Sequence, residues 1–170
     1  MAGTITLTAQ TAPLEREPAV ATRAATDGDI PVLGELYYSS YADSRPWTQE
    51  EATADVRKVY ADEFGRFLPD ASLVVPDGED NPLAALLVVD GFPDGALPDA
   101  PFVLELFTHP DHRRKGYAEE LVRQALAKLS EAGYEQVALR ISENNAAALA
   151  LYLTLDFQRW DPPIDGDLDY

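Results

Sequence analysis

The sequence predicts one α/β domain in which strands alternate with amphipathic helices, and three stretches carry that prediction. Ser72 to Asp90, "SLVVPDGEDNPLAALLVVD", sets two apolar runs about a cluster of turn residues and reads as a β-hairpin. Phe102 to Val122, "FVLELFTHPDHRRKGYAEELV", passes from an apolar strand through a tight turn into helical periodicity. Val137 to Ser142 returns to a strand once Gly133 has stopped that helix.

The other elements follow in chain order. Thr4 to Thr8 alternates threonine with Ile5 and Leu7, a strand pattern, and Pro13 and Pro18 make the onward link irregular. Residues 1–19 are therefore an amino-terminal arm, either a strand or disordered, and residues 20–170 are the domain proper. Val20 to Ala25 is its expected first strand. Asp29 stands where it would cap a helix with Pro31 in the first turn, and Ile30, Leu33, Tyr37 and Tyr41 recur at helical spacing. "SRPW" breaks that helix. Thr48 with Glu51 forms a capping-box pattern that starts a second one, with Ala52, Val56, Val59 and Tyr60 on its apolar face. After the hairpin, "DGFPDGALPDAP" is a long loop. Tyr117 to Ala132 is a helix that buries Ala118, Leu121, Val122, Ala125 and Leu129; Asn144 or Asn145 caps a last helix through Leu155, and "FQRW" begins a final strand before an acidic tail.

Composition narrows the chemistry. The absence of cysteine excludes disulfides, thiolate metal sites and a cysteine acyl-enzyme. A formal net charge of -17, from 30 acidic and 13 basic residues, disfavours nucleic acid and anionic membrane surfaces and favours cationic partners. No apolar run reaches the ~18 residues of a membrane span. The start, "MAGTITLTAQTA", has neither a basic leader nor a long apolar block, so a cytoplasmic setting is expected. His109 and His112 flank Asp111 within one turn, which explains them without a metal.

Against that acidic background, Arg113, Arg114 and Lys115 stand side by side where a strand gives way to a helix. A helix start carries unpaired backbone amides, and its dipole favours negative charge there. Gly116 lets a ligand approach the backbone and small Ala118 keeps the first turn open, so the segment reads as a pyrophosphate cradle.

"RRKGYA" fits the pattern Arg/Gln, any, any, Gly, any, Gly/Ala, and some thirty residues later "NAAALALYLTLDF" fits Asn, two others, Ala, two others, Leu-Tyr, three others, Gly-Phe except at Asp156. Together they resemble the GNAT superfamily of N-acetyltransferases, in element order from Val20 to about Trp160. The resemblance implies a GNAT-like α/β (α+β) fold: a mixed, mostly antiparallel, twisted sheet with helices on both faces, splayed between Phe102–Thr108 and Val137–Ser142, where coenzyme A would wedge. It implies acetyl-coenzyme A as cosubstrate, no metal, and direct attack by a primary amine in a ternary complex. Leu106, Phe107 and Thr108 would pair by backbone with the pantetheine arm. Arg113, Arg114, Lys115, Gly116, Tyr117 and Ala118 would hold the phosphates, with Asn145 as a polar coenzyme contact and Tyr152 near the thioester sulfur. Two positions depart from the pattern: Asp156 replaces glycine, and Thr108 replaces a common aliphatic residue.

For catalysis, Tyr152 is the candidate acid for the departing thiolate. Glu105 is the candidate base because it interrupts an apolar strand, where a charge needs a cleft or a partner. Strict alternation places Glu105 on the face opposite Leu104 and Leu106 unless a bulge intervenes. Tyr37, Tyr38, Tyr41 and Trp47 are expected to be mainly core or lid packing. The expected acceptor is a small cationic amine or a basic peptide end, selected by Glu105, Asp90 and the four aspartates of "DPPIDGDLDY". A silent acyl-coenzyme A sensor, a longer acyl donor and a homodimer stay open.

Overall fold

The computed structural model describes residues 3–42, 45–91 and 97–162. Its strands are β1 (Thr4–Gln10), β2 (Arg23–Ala24), β3 (Leu73–Pro76), β4 (Pro82–Val89), β5 (Phe102–Thr108), β6 (Gln136–Ser142) and β7 (Gln158–Trp160). Its helices are α1 (Ile30–Tyr41), α2 (Gln49–Tyr60), α3 (Tyr117–Glu131) and α4 (Ala146–Thr154). The strands form one sheet in the order β2-β3-β4-β5-β6-β1-β7. Every neighbouring pair is antiparallel except β5 and β6.

The unbroken apolar run of β4 has a direct cause, since both faces of the strand are covered. Ala84, Leu86 and Val88 pack with Leu121, Val122, Ala125 and Leu129 of α3. Ala85, Leu87 and Val89 pack with Leu33, Leu36 and Tyr37 of α1 and with Ala52, Val56 and Val59 of α2. Gly34 lets those two helices close up: a Cβ there would lie 2.7 Å from the Thr53 Cα. That approach holds the aromatic end of α1 against β5.

Two local expectations change. The first strand of the domain shortens from Val20–Ala25 to Arg23–Ala24, because side chains of α3 take up the backbone before it: Glu120 accepts from the Ala19 N–H (2.7 Å) and Gln124 donates to the Val20 carbonyl (2.9 Å). Asp29 occupies the N-cap position of α1 without capping it. Its carboxylate accepts instead from both Arg23 Nη atoms (2.8 Å each) and from the Thr26 N–H (2.8 Å). At α2 the capping box forms, with Thr48 Oγ1 accepting from Glu51 N and Glu51 Oε1 from Thr48 N, both at 3.1 Å. The amino-terminal threonine pattern becomes β1, inserted between β6 and β7 with Leu7 opposite Leu139 and Arg159.

Candidate active site

The ladder between β4 and β5 runs Ala84↔Thr108, Ala85↔Phe107, Leu86↔Leu106 and Leu87↔Glu105, then steps to Val88↔Val103. Leu104 is thus an extra residue, a β-bulge. Without it Leu104 and Glu105 would face opposite ways; with it, Leu104, Glu105 and Phe107 all line one cavity of about 200 Å³. Leu106 packs into the opposite core.

Within that cavity the Tyr37 hydroxyl donates to Glu105 Oε1 at 2.8 Å. Arg45 Nη1 lies 3.5 Å from the Tyr37 hydroxyl, and the Arg45 guanidinium stacks 4.0 Å from the Trp47 ring centroid. Tyr37 is itself wedged between rings, 4.8 Å from Trp47 and 5.0 Å from Phe107. Burial pushes the Glu105 carboxyl up, and the Tyr37 hydrogen bond and the Arg45 charge bring it part of the way back, to about 7. Burial, and then the Glu105 charge, raise Tyr37 far enough that it remains a donor at all ordinary pH. Tyr37 and Trp47, which the sequence suggested were mainly packing, thus also orient the partly buried acid.

The other side of β5 is free of a strand partner over most of its length. Among the described residues β5 pairs with β6 at Phe102↔Ala138 and Val103↔Leu139, after which the parallel strands part. Next to this gap lies a cleft lined by Ser40, Tyr41, Leu106, Phe107, Thr108, Arg113 and Ala118. Ser40 Oγ donates to the Thr108 carbonyl at 3.0 Å, and Arg113 Nη2 donates to the Ser40 carbonyl at 2.8 Å. Arg113 therefore latches the end of α1 to the turn before α3. No sequence signal marked Ser40.

That turn has the form its composition suggested. His109 Nδ1 accepts from Asp111 N at 3.1 Å, so the histidine serves the turn, and Lys115 Nζ lies 3.2 Å from His112 Nδ1. Arg114 (φ 65°) and Gly116 (φ 80°) are both left-handed, and nothing lies within 4 Å of where a Gly116 Cβ would be. The chain turns there into α3, whose first amides have no partner within the helix. Among the described residues no group of three or more His, Asp or Glu could hold a metal ion, and no helix is long and apolar enough to cross a membrane.

Asn145 caps α4, its Oδ1 accepting from Ala148 N at 3.1 Å. Asp156 adopts the left-handed conformation (φ 67°) that the usual glycine would supply, and Phe157 N closes the turn onto the Tyr152 carbonyl at 3.0 Å. Tyr152 is buried, edge-on to Phe157 at 5.2 Å. Burial, then the nearby Tyr41 and Glu105, make its hydroxyl hold its proton more tightly than an ordinary phenol. Asp90 is not free to select a ligand, since its carboxylate accepts from Arg66 N (2.9 Å) and Nε (3.3 Å). Asp161 of the acidic tail pairs with Arg159 at 3.5 Å; Asp165, Asp167 and Asp169 lie outside the described residues, as does Phe92–Ala96 of the long loop.

The model of the acetyltransferase (GNAT) family matches residues 34–157, from the first turns of α1 through the Asp156 turn. The chain belongs to the GNAT acetyltransferase family. No curated protein matches the sequence. Solved structures share the fold at low identity. A GCN5-related N-acetyltransferase from Sphaerobacter thermophilus aligns with a TM-score of 0.66 at 15% identity, covering 95% of this chain and 53% of that protein. This GNAT chain thus spans about half the length of that relative. The ribosomal-protein-S18-alanine N-acetyltransferase of Escherichia coli aligns at 0.61 and 16% identity over 88% of this chain and 98% of its own. A GNAT family acetyltransferase from Brucella melitensis, solved in complex with acetyl-CoA, aligns at 0.59 and 16% identity over 88% and 92%.

Proposed function

We propose that this GNAT chain transfers an acetyl group from acetyl-coenzyme A to a primary amine by direct attack, with Glu105 as the base. The observation that carries this reading is the partly buried Glu105 carboxyl, hydrogen-bonded by Tyr37 beside the unpaired edge of β5, where burial raises its pKa to about 7. Leu106, Phe107 and Thr108 on that edge, the turn Arg113–Lys115, and the start of α3 at Gly116, Tyr117 and Ala118 would hold the coenzyme, with Asn145 across the gap. The open space over the left-handed Gly116 fits a group that must approach the backbone closely. When bound, the thioester supplies an activated acetyl group and a thiolate leaving group.

The chain's own residues then account for the protons. An amine with a pKa near ~10 is mostly protonated at neutral pH and must lose a proton before it attacks. A carboxylate titrating near 7 takes that proton far more readily than one near the ordinary ~4.3, yet is still about half ionised at neutral pH. Tyr37 keeps one oxygen of Glu105 fixed, and the residue lines the cavity. Tyr152 holds its proton too tightly to surrender it fully to a thiolate. It stabilises developing negative charge as a hydrogen-bond donor; the attacking nitrogen sheds its second proton as the adduct collapses, that proton neutralises the departing sulfur, and the one collected by Glu105 returns to solvent.

The test is the pH profile of acetyl transfer in Glu105→Gln, an isosteric change that keeps an acceptor for Tyr37. In the parent enzyme kcat/KM should rise with pH through about 7, as Glu105 ionises. The variant should lose about 100- to 1000-fold at neutral pH, and the limb near 7 should vanish with coenzyme affinity unchanged. A limb that persists in Glu105→Gln removes Glu105 as the base. Absence of transfer to any amine by the parent enzyme, with coenzyme still bound, would leave a binding module.

A further inference from the structure

The cavity at Glu105 has a composition at odds with an acceptor site built for highly charged molecules. Val56 and Val59 of α2, Phe64, Leu87 of β4, and Leu104 and Phe107 of β5 make its walls. Among the described residues, polar groups enter only as Tyr37, whose hydroxyl is committed to Glu105, and as two carboxylates, Glu105 and Asp55. Asp55 Oδ1 also lies 4.0 Å from Lys58 Nζ, an ion pair that offsets part of its charge. Phe107 is shared with the cleft beside the cradle, so the cavity and the proposed coenzyme site meet at one side chain. The volume of about 200 Å³ equals that of roughly seven water molecules, room for a body of about ten non-hydrogen atoms.

A polyamine or amino sugar placed here would bring hydroxyls or further ammonium groups against valine, leucine and phenylalanine, and each would be desolvated without a partner. A single amine on an apolar body avoids that cost: its charged end meets Glu105, and its chain or ring meets the six apolar walls. Building on the transferase reading above, we infer that the acceptor is a hydrophobic primary monoamine, alkyl or arylalkyl, held with its nitrogen at Glu105 in the cavity that Asp55 also lines. The acidic surface then serves to draw in any cation, and the apolar walls choose among them. Asp55 and Phe64 are the specificity-determining residues, one for the charge and one for the body.

Hexylamine and 1,6-diaminohexane give a matched pair, equal in length and differing in a terminal methyl or ammonium. Each is titrated calorimetrically into the full chain with coenzyme A present, at 0.15 M and 0.5 M salt, and each is offered as acceptor with acetyl-coenzyme A. Hexylamine should bind at least about tenfold more tightly than the diamine, because the second ammonium must enter the apolar walls. Phe64→Ala should weaken hexylamine about tenfold and leave the diamine unchanged, and Asp55→Asn should weaken both about three- to tenfold with a flatter salt dependence. Coenzyme A affinity, unchanged in both variants, reports that the fold is intact. Equal or tighter binding of the diamine, or no binding of hexylamine, overturns the inference, and transfer to the diamine in preference would do so while leaving the transferase reading in place. Hexylamine that binds as described but is not acetylated, while another amine is, overturns the inference and leaves the transferase reading in place; no transfer to any amine removes the transferase reading instead.

Discussion

The two halves of the site are built in opposite ways. The proposed cradle at Arg113 to Ala118 is one contiguous segment, and the groups it would offer are largely backbone amides set by two left-handed residues. The Glu105 cavity draws side chains from α1, α2, β4 and β5, and no two of those elements supply a recognisable motif. A backbone site tolerates many side chains provided the conformation is kept, whereas a side-chain site depends on packing between distant segments.

The comparison can be broken most strongly at Tyr152, which is buried and feels the charge of Glu105. Tyr152→Phe keeps the ring against Phe157 and removes the donor; turnover should fall about 10- to 1000-fold with little change in coenzyme affinity, measured by steady-state kinetics and calorimetry side by side. Parent-like turnover would mean that solvent alone stabilises the departing sulfur.

A smaller effect separates charge from latch within the cradle. Arg114→Glu should weaken coenzyme A binding about tenfold and flatten its salt dependence, with the KM for the amine unmoved. Arg113→Glu should do the same and also raise the amine KM, since Arg113 Nη2 ties the Ser40 carbonyl and so the end of α1. Identical amine kinetics in the two variants would show that the latch has no bearing on the acceptor half.

The smallest expected change sharpens the acceptor half alone. The Tyr37 hydrogen bond favours the ionised form of Glu105, so Tyr37→Phe should move the rising limb of kcat/KM to higher pH. At pH 7 the rate should fall about three- to tenfold and recover in alkali, and Glu105→Gln should show no such recovery. A limb that stays near 7 would mean that Tyr37 packs without tuning the acid.

Some of this molecule was written in local patterns. The Thr48–Glu51 capping box, the Ser72–Asp90 hairpin, the stop at Gly133 and the turn at Gly116 each depend on residues within a few positions of one another, and all appear where those residues stand. Asp156 could be read as a glycine substitute for the same reason, because left-handed turns are a property of a single residue. Two places where the local reading changed involve partners far along the chain: Glu120 and Gln124 shorten the first strand from a hundred residues away, and Arg23 takes the carboxylate of Asp29 from its cap. The role of Glu105 shows the limit most clearly. Its presence in an apolar strand marked it, but alternation alone left its face undecided, because the bulge at Leu104 exists only in the pairing with β4. Tyr37 was marked only as a helical apolar position, and Asp55 and Phe64 carry no local mark at all; their common cavity arises from the closeness of α1 to α2 at Gly34 and from both helices lying on one face of the sheet. Motif and turn chemistry act over a few residues and were determined by the sequence itself. Which side chains share a buried space depends on how distant elements pack, and only the tertiary structure decided it.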